Sequence, residues 1–319
     1  MPGRRSSSDP GCVILAYGPG PLYRRVVESL LEEGAPASRI VVVHNPADPS
    51  EPPLASPPQG VTVLRMPENA GYARGMNHGI AHHLARGVPR VLLVTHDVVF
   101  HAGALDRLLE VADAMPGYGV LGPALWWEGR PFSYGGVRGA DGSVALRERL
   151  PEGSSEPVLD ADWVEGSAVL VAAPVFEGIG LLDELFFMYF EETEFCLRAS
   201  RAGWKIGVVP GALAEQQPGF DRRPASYGYL MARNGLEYSR RAAGREGLLR
   251  AFGRQLVESW RLLKVWKGRR SNREQRRRAR ARLIGLWSGI AAYLGRRWGP
   301  PPGSVLRLDG SSARQVAEL

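Results

Sequence analysis

The apolar positions of this chain fall into short runs separated by amphipathic stretches. Residues 12–16 (CVILA), 39–43, 61–65 and 90–95 (RVLLVT) are runs of five or six residues rich in Val, Ile and Leu, and predict buried strands. The first stops at Gly18-Pro19-Gly20-Pro21, a turn signal. Residues 22–33 place Leu22, Val26 and Leu30 on one helical face. Residues 73–86 and 102–115 also predict helices, and the Pro-rich residues 46–60 predict a loop. Strands alternating with helices predict βαβ units and a mainly parallel sheet flanked by helices. Ligands of such sheets bind beyond the carboxyl ends of the strands. The polar residues at those ends are Tyr17, His44-Asn45 and His96-Asp97. Their convergence suggests a nucleotide or sugar-phosphate crevice.

The pattern changes after residue 126. Residues 131–153 are Gly-rich and predict hairpins or a loop. Residues 163–172 are apolar around Glu165-Gly166. Residues 186–201 mix aromatics with acids and predict a helix ending at Gly203, followed by a strand over 205–209. Residues 226–241 predict a helix. Two further stripes follow, Leu249, Phe252, Leu256, Trp260 and Leu263, then Leu283, Trp287, Ile290, Leu294 and Trp298, both on helices that carry arginines elsewhere.

Charge sharpens this division. The net charge of the 319 residues is +7. Residues 240–300 hold 18 Arg/Lys against three Glu, so the chain before Arg240 is net acidic, at −8. The basicity therefore belongs to a C-terminal helical extension. It suits an anionic membrane surface or helices packed on the domain; no nucleic-acid motif accompanies it, and nucleic acid is not expected. Two distant cysteines, Cys12 and Cys196, indicate neither a disulfide framework nor a zinc site, and predict a cytoplasmic protein, peripheral on the inner membrane face if the extension docks there.

Three constellations carry candidate chemistry. Asp97 follows a buried strand, where a carboxylate holds Mg²⁺ or Mn²⁺ against a diphosphate, caps the next helix, or simply faces solvent. In Glu191-Glu192-Thr193-Glu194, a carboxyl behind the aromatics 186–190 acquires a raised pKa and serves as a base, or the acids complement a helix dipole. In ENAGYARGMN (68–77), the glycines let backbone amides approach a ligand and Arg74 pairs with a phosphate, or the segment is a tight turn with an exposed Arg.

Taken in order, VILAYG, VVVHN, ENAGYARGMN, LLVTHD, WVEGSAVLV, the stretch 178–204 containing FEETEF, and ARN at 232–234 resemble glycosyltransferase family 2, especially its rhamnosyltransferase-like branch. The resemblance implies a GT-A fold and inverting transfer of a sugar from a nucleotide-diphosphate donor, such as dTDP-rhamnose. The acceptor is a hydroxyl of a glycan, lipid-linked glycan or natural product. It implies donor contacts from Tyr17, His44, Asn45, Asn69, Gly71, Arg74, His96, Asp97 and Arg233, the last beside Asn234 at a helix start. Glu165, Gly166 and Glu191 fall on the acceptor side, Glu192 matches the catalytic base, and Asp97 matches a ligand of a divalent cation. There are departures. The family usually has Asp where His44 stands, a further carboxylate at Thr95, Asp rather than Glu at 192, and a His where this chain reads Glu215-Gln216-Gln217. Weak metal binding, metal binding through Glu215 or the loss of metal binding follows from these departures, and so does an alternative: a catalytically impaired GT-A-like protein that binds a nucleotide sugar or a partner. The expected organisation is a flexible N-terminus (1–11), a catalytic domain (12–241), a basic amphipathic helical segment (242–300) and a flexible tail (301–319).

Overall fold

Four of the predicted runs become adjacent parallel strands: β1 (Gly11–Tyr17), β2 (Ile40–Asn45), β3 (Thr62–Arg65) and β4 (Arg90–Thr95), in the spatial order β4-β1-β2-β3. β1 and β2 are buried on both faces, which is why their sequences show no alternation. The helix α1 (Leu22–Glu32) follows β1, α2 (Gly71–Leu84) follows β3, and α3 (Ala104–Ala114) follows β4 after the short β5 (Val98–Phe100). α2 lies close on β1 because Gly75 and Gly79 face it: a Cβ would come within 2.5 Å of Leu15 at Gly75 and 2.3 Å of Val13 at Gly79.

This computed structural model describes residues 9–18, 20–55, 57–154, 156–216, 224–268 and 271–309. Residues 1–8 of the expected flexible N-terminus, Gln217, and residues 310–319 of the expected tail lie outside them.

The second half of the sheet comes from β6 (Tyr118–Trp127), β7 (Arg130–Ser133), β10 (Leu159–Asp160), β11 (Ala168–Ala172) and β12 (Lys205–Gln216), with β8 (Gly136–Arg138) and β9 (Val144–Leu146) forming a separate pair. The order is β10-β12-β6-β11-β4-β1-β2-β3. β11 runs antiparallel between β4 and β6, while β12 is parallel to β6. The sheet is thus mixed and mostly parallel, as a GT-A-type fold requires. α4 (Ala173–Ile179) and α5 (Glu191–Arg201) connect β11 to β12. The helix predicted from residue 186 starts only at Glu191, because Phe187, Tyr189 and Phe190 hold φ of 64°, 71° and 73°, outside the helical region.

Residues 1–137, 145–183 and 192–218 form one compact unit, and residues 138–144, 184–191 and 219–319 a second. In the second unit, α6 (Pro224–Lys267) kinks where Ala243 and Gly244 leave helical geometry, with Gly244 at φ +63°. It packs against α7 (Arg273–Leu294), whose start carries an Asn272/Gln275 capping box. Residues 301–309 are folded rather than flexible. Val305 of α8 (Gly303–Leu306) is buried, and the Asp309 carboxylate accepts hydrogen bonds from the backbone N–H groups of Ala225 (2.8 Å) and Ser226 (3.0 Å), two donors that the helix start leaves unpaired. No helix among the described residues is long and apolar enough to cross a membrane.

Candidate active site

At the carboxyl ends of the strands, Tyr17 and Asn45 are register partners on β1 and β2. Asn45 is committed to the turn that opens α2. Its Nδ2 donates to Asn69 Oδ1 (3.2 Å) and to the Gly71 carbonyl (3.4 Å), and its Oδ1 accepts from the Ala70 N–H (2.8 Å). Asn69 Oδ1 also accepts from the Gly71 N–H (3.1 Å), with Gly71 at φ +77°. These two asparagines shape the turn from behind, and Arg74 is exposed one helical turn further on. His44 is buried. Arg65 donates to its Nδ1 (3.3 Å), so the ring hydrogen lies on Nε2, 3.8 Å from Glu51 Oε2. Burial, and then the Arg65 charge, lower the His44 pKa to about 4, so this residue is neutral where the family has an acid.

Asp97 sits just past β4. Its Oδ2 accepts from Gln216 Nε2 (3.3 Å), and Gln216 Oε1 in turn accepts from Ser167 Oγ (3.2 Å). Its Oδ1 is buried without a hydrogen-bond partner. His96 Nδ1 donates to the Leu15 carbonyl (3.2 Å), which leaves Nε2 as the nitrogen with a lone pair when the ring is neutral. Glu215 does not join Asp97. It accepts from the Gly129 N–H (3.1 Å) and lies 3.5 Å from His101 Nε2, because alternation along β12 turns it away from the face that Gln216 occupies. The inward position therefore belongs to Gln216, in the stretch that lacks the family's His. Ala212, Ala214 and Gln216 are buried at a period of two along this part of β12.

Among the described residues no three His, Cys, Asp or Glu side chains converge as a closed metal cage. An orphaned carboxylate oxygen still fits a hard cation that takes one protein carboxylate and completes its shell with diphosphate and water oxygens.

Glu165, Gly166 and Glu192 come together. Tyr72 OH donates to the Gly166 carbonyl, and a Cβ on Gly166 would stand 3.1 Å from that hydroxyl and 3.4 Å from Glu192 Cγ. Glu192 Oε1 accepts from Thr193 Oγ1 (3.4 Å), while Oε2 is sealed without a partner. Burial pushes the Glu192 pKa up to about 7 against the pull of its local hydrogen bonds. Burial, followed by the Glu192 charge, pushes Glu165 up to about 8, with a Ser133 hydrogen bond opposing. At neutral pH this pair therefore holds more protons than two ordinary carboxylates would. Tyr72, in the middle of ENAGYARGMN, was not singled out in the sequence; only its place on the inner face of α2 marked it.

Within the second unit, Glu191 is buried at the end of the segment 184–191. Arg233 departs from expectation. It lies in the interior of α6 rather than at a helix start, and it is fully buried. Its Nη2 donates to the Phe186 carbonyl (2.9 Å), its Nη1 to the Gly299 carbonyl (2.5 Å) and its Nε to Asn234 Oδ1 (2.9 Å), and its plane stacks near Tyr229 and Trp298. Asn234 Nδ2 donates to the carbonyls of Phe186, Met188 and Tyr189 (2.8–2.9 Å). The RN pair is thus a clamp on the strained backbone that leads into α5. A guanidinium buried and spent on carbonyls is not presented to a diphosphate, which removes Arg233 from the expected donor contacts.

A profile of the family described as Glycosyltransferase like family 2 matches residues 11–236. An N-acetylglucosaminyl-diphospho-decaprenol L-rhamnosyltransferase of Mycobacterium tuberculosis is 29% identical over 244 residues, 67% of this chain and 78% of that protein. The low-salt glycan biosynthesis hexosyltransferase Agl10 of Haloferax volcanii is 33% identical over 175 residues, 52% of this chain and 56% of that protein. Among solved structures, GalNAc-T7 with UDP, GalNAc and Mn²⁺ superposes with a TM-score of 0.52 at 12% identity, over 91% of this chain and 58% of that one, a likeness of fold.

Proposed function

This chain belongs to glycosyltransferase family 2, and on that premise we propose that it is an inverting hexosyltransferase with Glu192 as its base. The observation that carries the reading is the half-buried Glu192 side chain beside the Gly166 loop, its Oε2 sealed without a partner and its pKa raised to the operating range of a general base. In its ionised form Glu192 takes the proton of an acceptor hydroxyl. The oxygen's electron pair forms the new bond to the anomeric carbon from the face opposite the diphosphate. The old carbon–oxygen bond breaks, and its electrons leave with the nucleoside diphosphate. One displacement inverts the centre, and no enzyme nucleophile is needed; both cysteines are buried.

The donor proposed is a nucleotide-diphosphate sugar, with dTDP-rhamnose the first to test because a relative's name specifies L-rhamnosyl transfer. The acceptor proposed is a hydroxyl of a glycan, lipid-linked glycan or natural product. Tyr17, Gly71, Arg74, His96 and Asp97 are the proposed donor side, with Asn45 and Asn69 acting through the turn they hold. Glu165 and Gly166 are the proposed acceptor side. A Mg²⁺ or Mn²⁺ held by Asp97, with His96 Nε2 as a second candidate ligand, supplies positive charge to the leaving diphosphate when bound. The Gln216 amide holds the other Asp97 oxygen in place meanwhile.

Incubation with a panel of nucleotide sugars, scored for transfer and for donor hydrolysis, tests this reading. Turnover that Glu192→Gln removes supports it. Donor binding without turnover for any sugar supports the catalytically impaired alternative, which the missing carboxylate at Thr95 keeps in view.

A further inference from the structure

We propose that the outer face of α6 beyond its kink is a docking surface for an anionic lipid bilayer. In the sequence, Leu249, Phe252, Leu256, Trp260 and Leu263 form one stripe. The structure divides it. Phe252 turns inward with Leu248, Leu262 and Trp266 against the helix pair's own core. Leu249, Leu256, Trp260 and Leu263 remain 63%, 46%, 57% and 40% exposed. Their spacing of seven, four and three residues puts them within a narrow sector of the helix, one continuous apolar strip about four turns long. Val257 widens it on one side.

Cations line this strip. The Lys264 ammonium lies 3.3 Å from the centre of the Trp260 ring, and Lys267 sits over Trp266. Arg245, Arg250 and Arg261 are also exposed on this part of the helix. The surrounding segment is strongly basic, and its three acids are already engaged: Glu246 with Arg250, Glu258 with Arg282, and Glu274 with Arg277 and Arg278. Large apolar side chains with lysine stems beside them suit a helix lying in the plane of a bilayer interface, its leucines and tryptophan among the acyl chains and its cations at the phosphates. A second copy is a poorer occupant, since it would press like charge against like along the whole strip. A nucleic acid would meet the cations and leave the leucines with nothing to bury them.

The test is co-sedimentation of the full chain with vesicles of phosphatidylcholine alone and of phosphatidylcholine containing phosphatidylglycerol. Binding to the anionic vesicles should be about tenfold tighter than to the neutral ones. Leu256→Ser combined with Trp260→Ser should weaken it about tenfold with an unchanged circular dichroism spectrum, because both side chains already face solvent. Lys264→Gln with Lys267→Gln should weaken it less and make it less sensitive to salt. Three outcomes overturn the proposal: no pelleting with anionic vesicles, pelleting indifferent to the two serines, or a dimer in sedimentation velocity that the two serines dissociate. Pelleting that RNA competes away while the serine variant matches the parent assigns the face to nucleic acid and overturns it equally. Vesicle binding requires no sugar transfer, so its failure leaves the transferase reading standing, and the converse holds too.

Discussion

Two pairs of polar side chains, Arg233/Asn234 and Glu165/Glu192, are treated oppositely by this fold. Arg233 and Asn234 in the second unit spend their donors on named acceptors, chiefly the carbonyls of 186–189, and are closed to any ligand. Glu165 and Glu192 in the first unit are half-buried with less support, and Glu192 Oε2 and Asp97 Oδ1 are buried atoms without a hydrogen-bond partner. Buried polar groups are nearly always satisfied, so the exceptions mark where binding energy or chemistry is held in reserve. Satisfied groups of the same polarity mark architecture. Family resemblance had placed both pairs near the donor or acceptor; hydrogen-bond partners separate them.

The sharpest way to break this contrast is Glu192→Gln, which should lower transfer by at least ~100-fold, the usual scale of an acid–base group. The same change should raise the melting temperature above pH 7. The folded Glu192 carboxyl has its pKa raised from the ordinary 4.5 to about 7, so it favours the folded state fully below pH 4.5 and loses that contribution as pH rises through 7. A neutral amide suffers no such loss. A variant that is both inactive and less stable at pH 8 would mean that Glu192 is structural.

Asp97→Ala should also cost at least ~100-fold in kcat/KM. An EDTA titration of the parent should show activity restored only at high concentrations of Mg²⁺ or Mn²⁺, because a single carboxylate holds the ion. Full activity at low-micromolar metal would show a richer ligand set than Asp97 and His96. Asn234→Ala tests the satisfied side. It should destabilise by about 1–3 kcal/mol, read from the urea midpoint, because buried carbonyls lose their donor. Its effect on transfer should follow the strained entry to α5, appearing in kcat more than in donor KM.

The smallest effect is expected from Glu165→Gln. Since Glu165 holds its proton up to about pH 8, the neutral amide resembles its state at pH 7. The rise of kcat/KM through about pH 7, which reports ionisation of Glu192, should persist, and any second inflection near pH 8 should vanish. A rise displaced by a full pH unit would show that Glu165 is ionised while Glu192 works.

Much of this was legible in the residues. The β-branched runs became β1–β4, and the polar residues Tyr17, Asn45 and Asp97 do lie at the carboxyl ends of neighbouring strands. What was not legible involved direction. Gln216 and Glu215 are neighbours in sequence, but β12 turns one toward Asp97 and the other toward His101. The aromatic run 186–190 reads as helix by composition, yet three left-handed residues hold it open because Asn234, more than forty residues later, supplies the donors. The apolar stripe on α6 reads as one face; packing against α7 took Phe252 and left Trp260 outside.

Composition and periodicity alone determined the α/β class and the acidic body with its basic extension, because these depend on residue type and spacing along the chain; the roles expected of the carboxylates at 97 and 192 came from the resemblance to the family. Only the tertiary structure decided which of those carboxylates lack partners, that Arg233 is a clamp, and which residues of the C-terminal stripe face solvent. Hydrogen bonding and burial are properties of residues distant in sequence, and their energies are set by what the fold brings alongside each group.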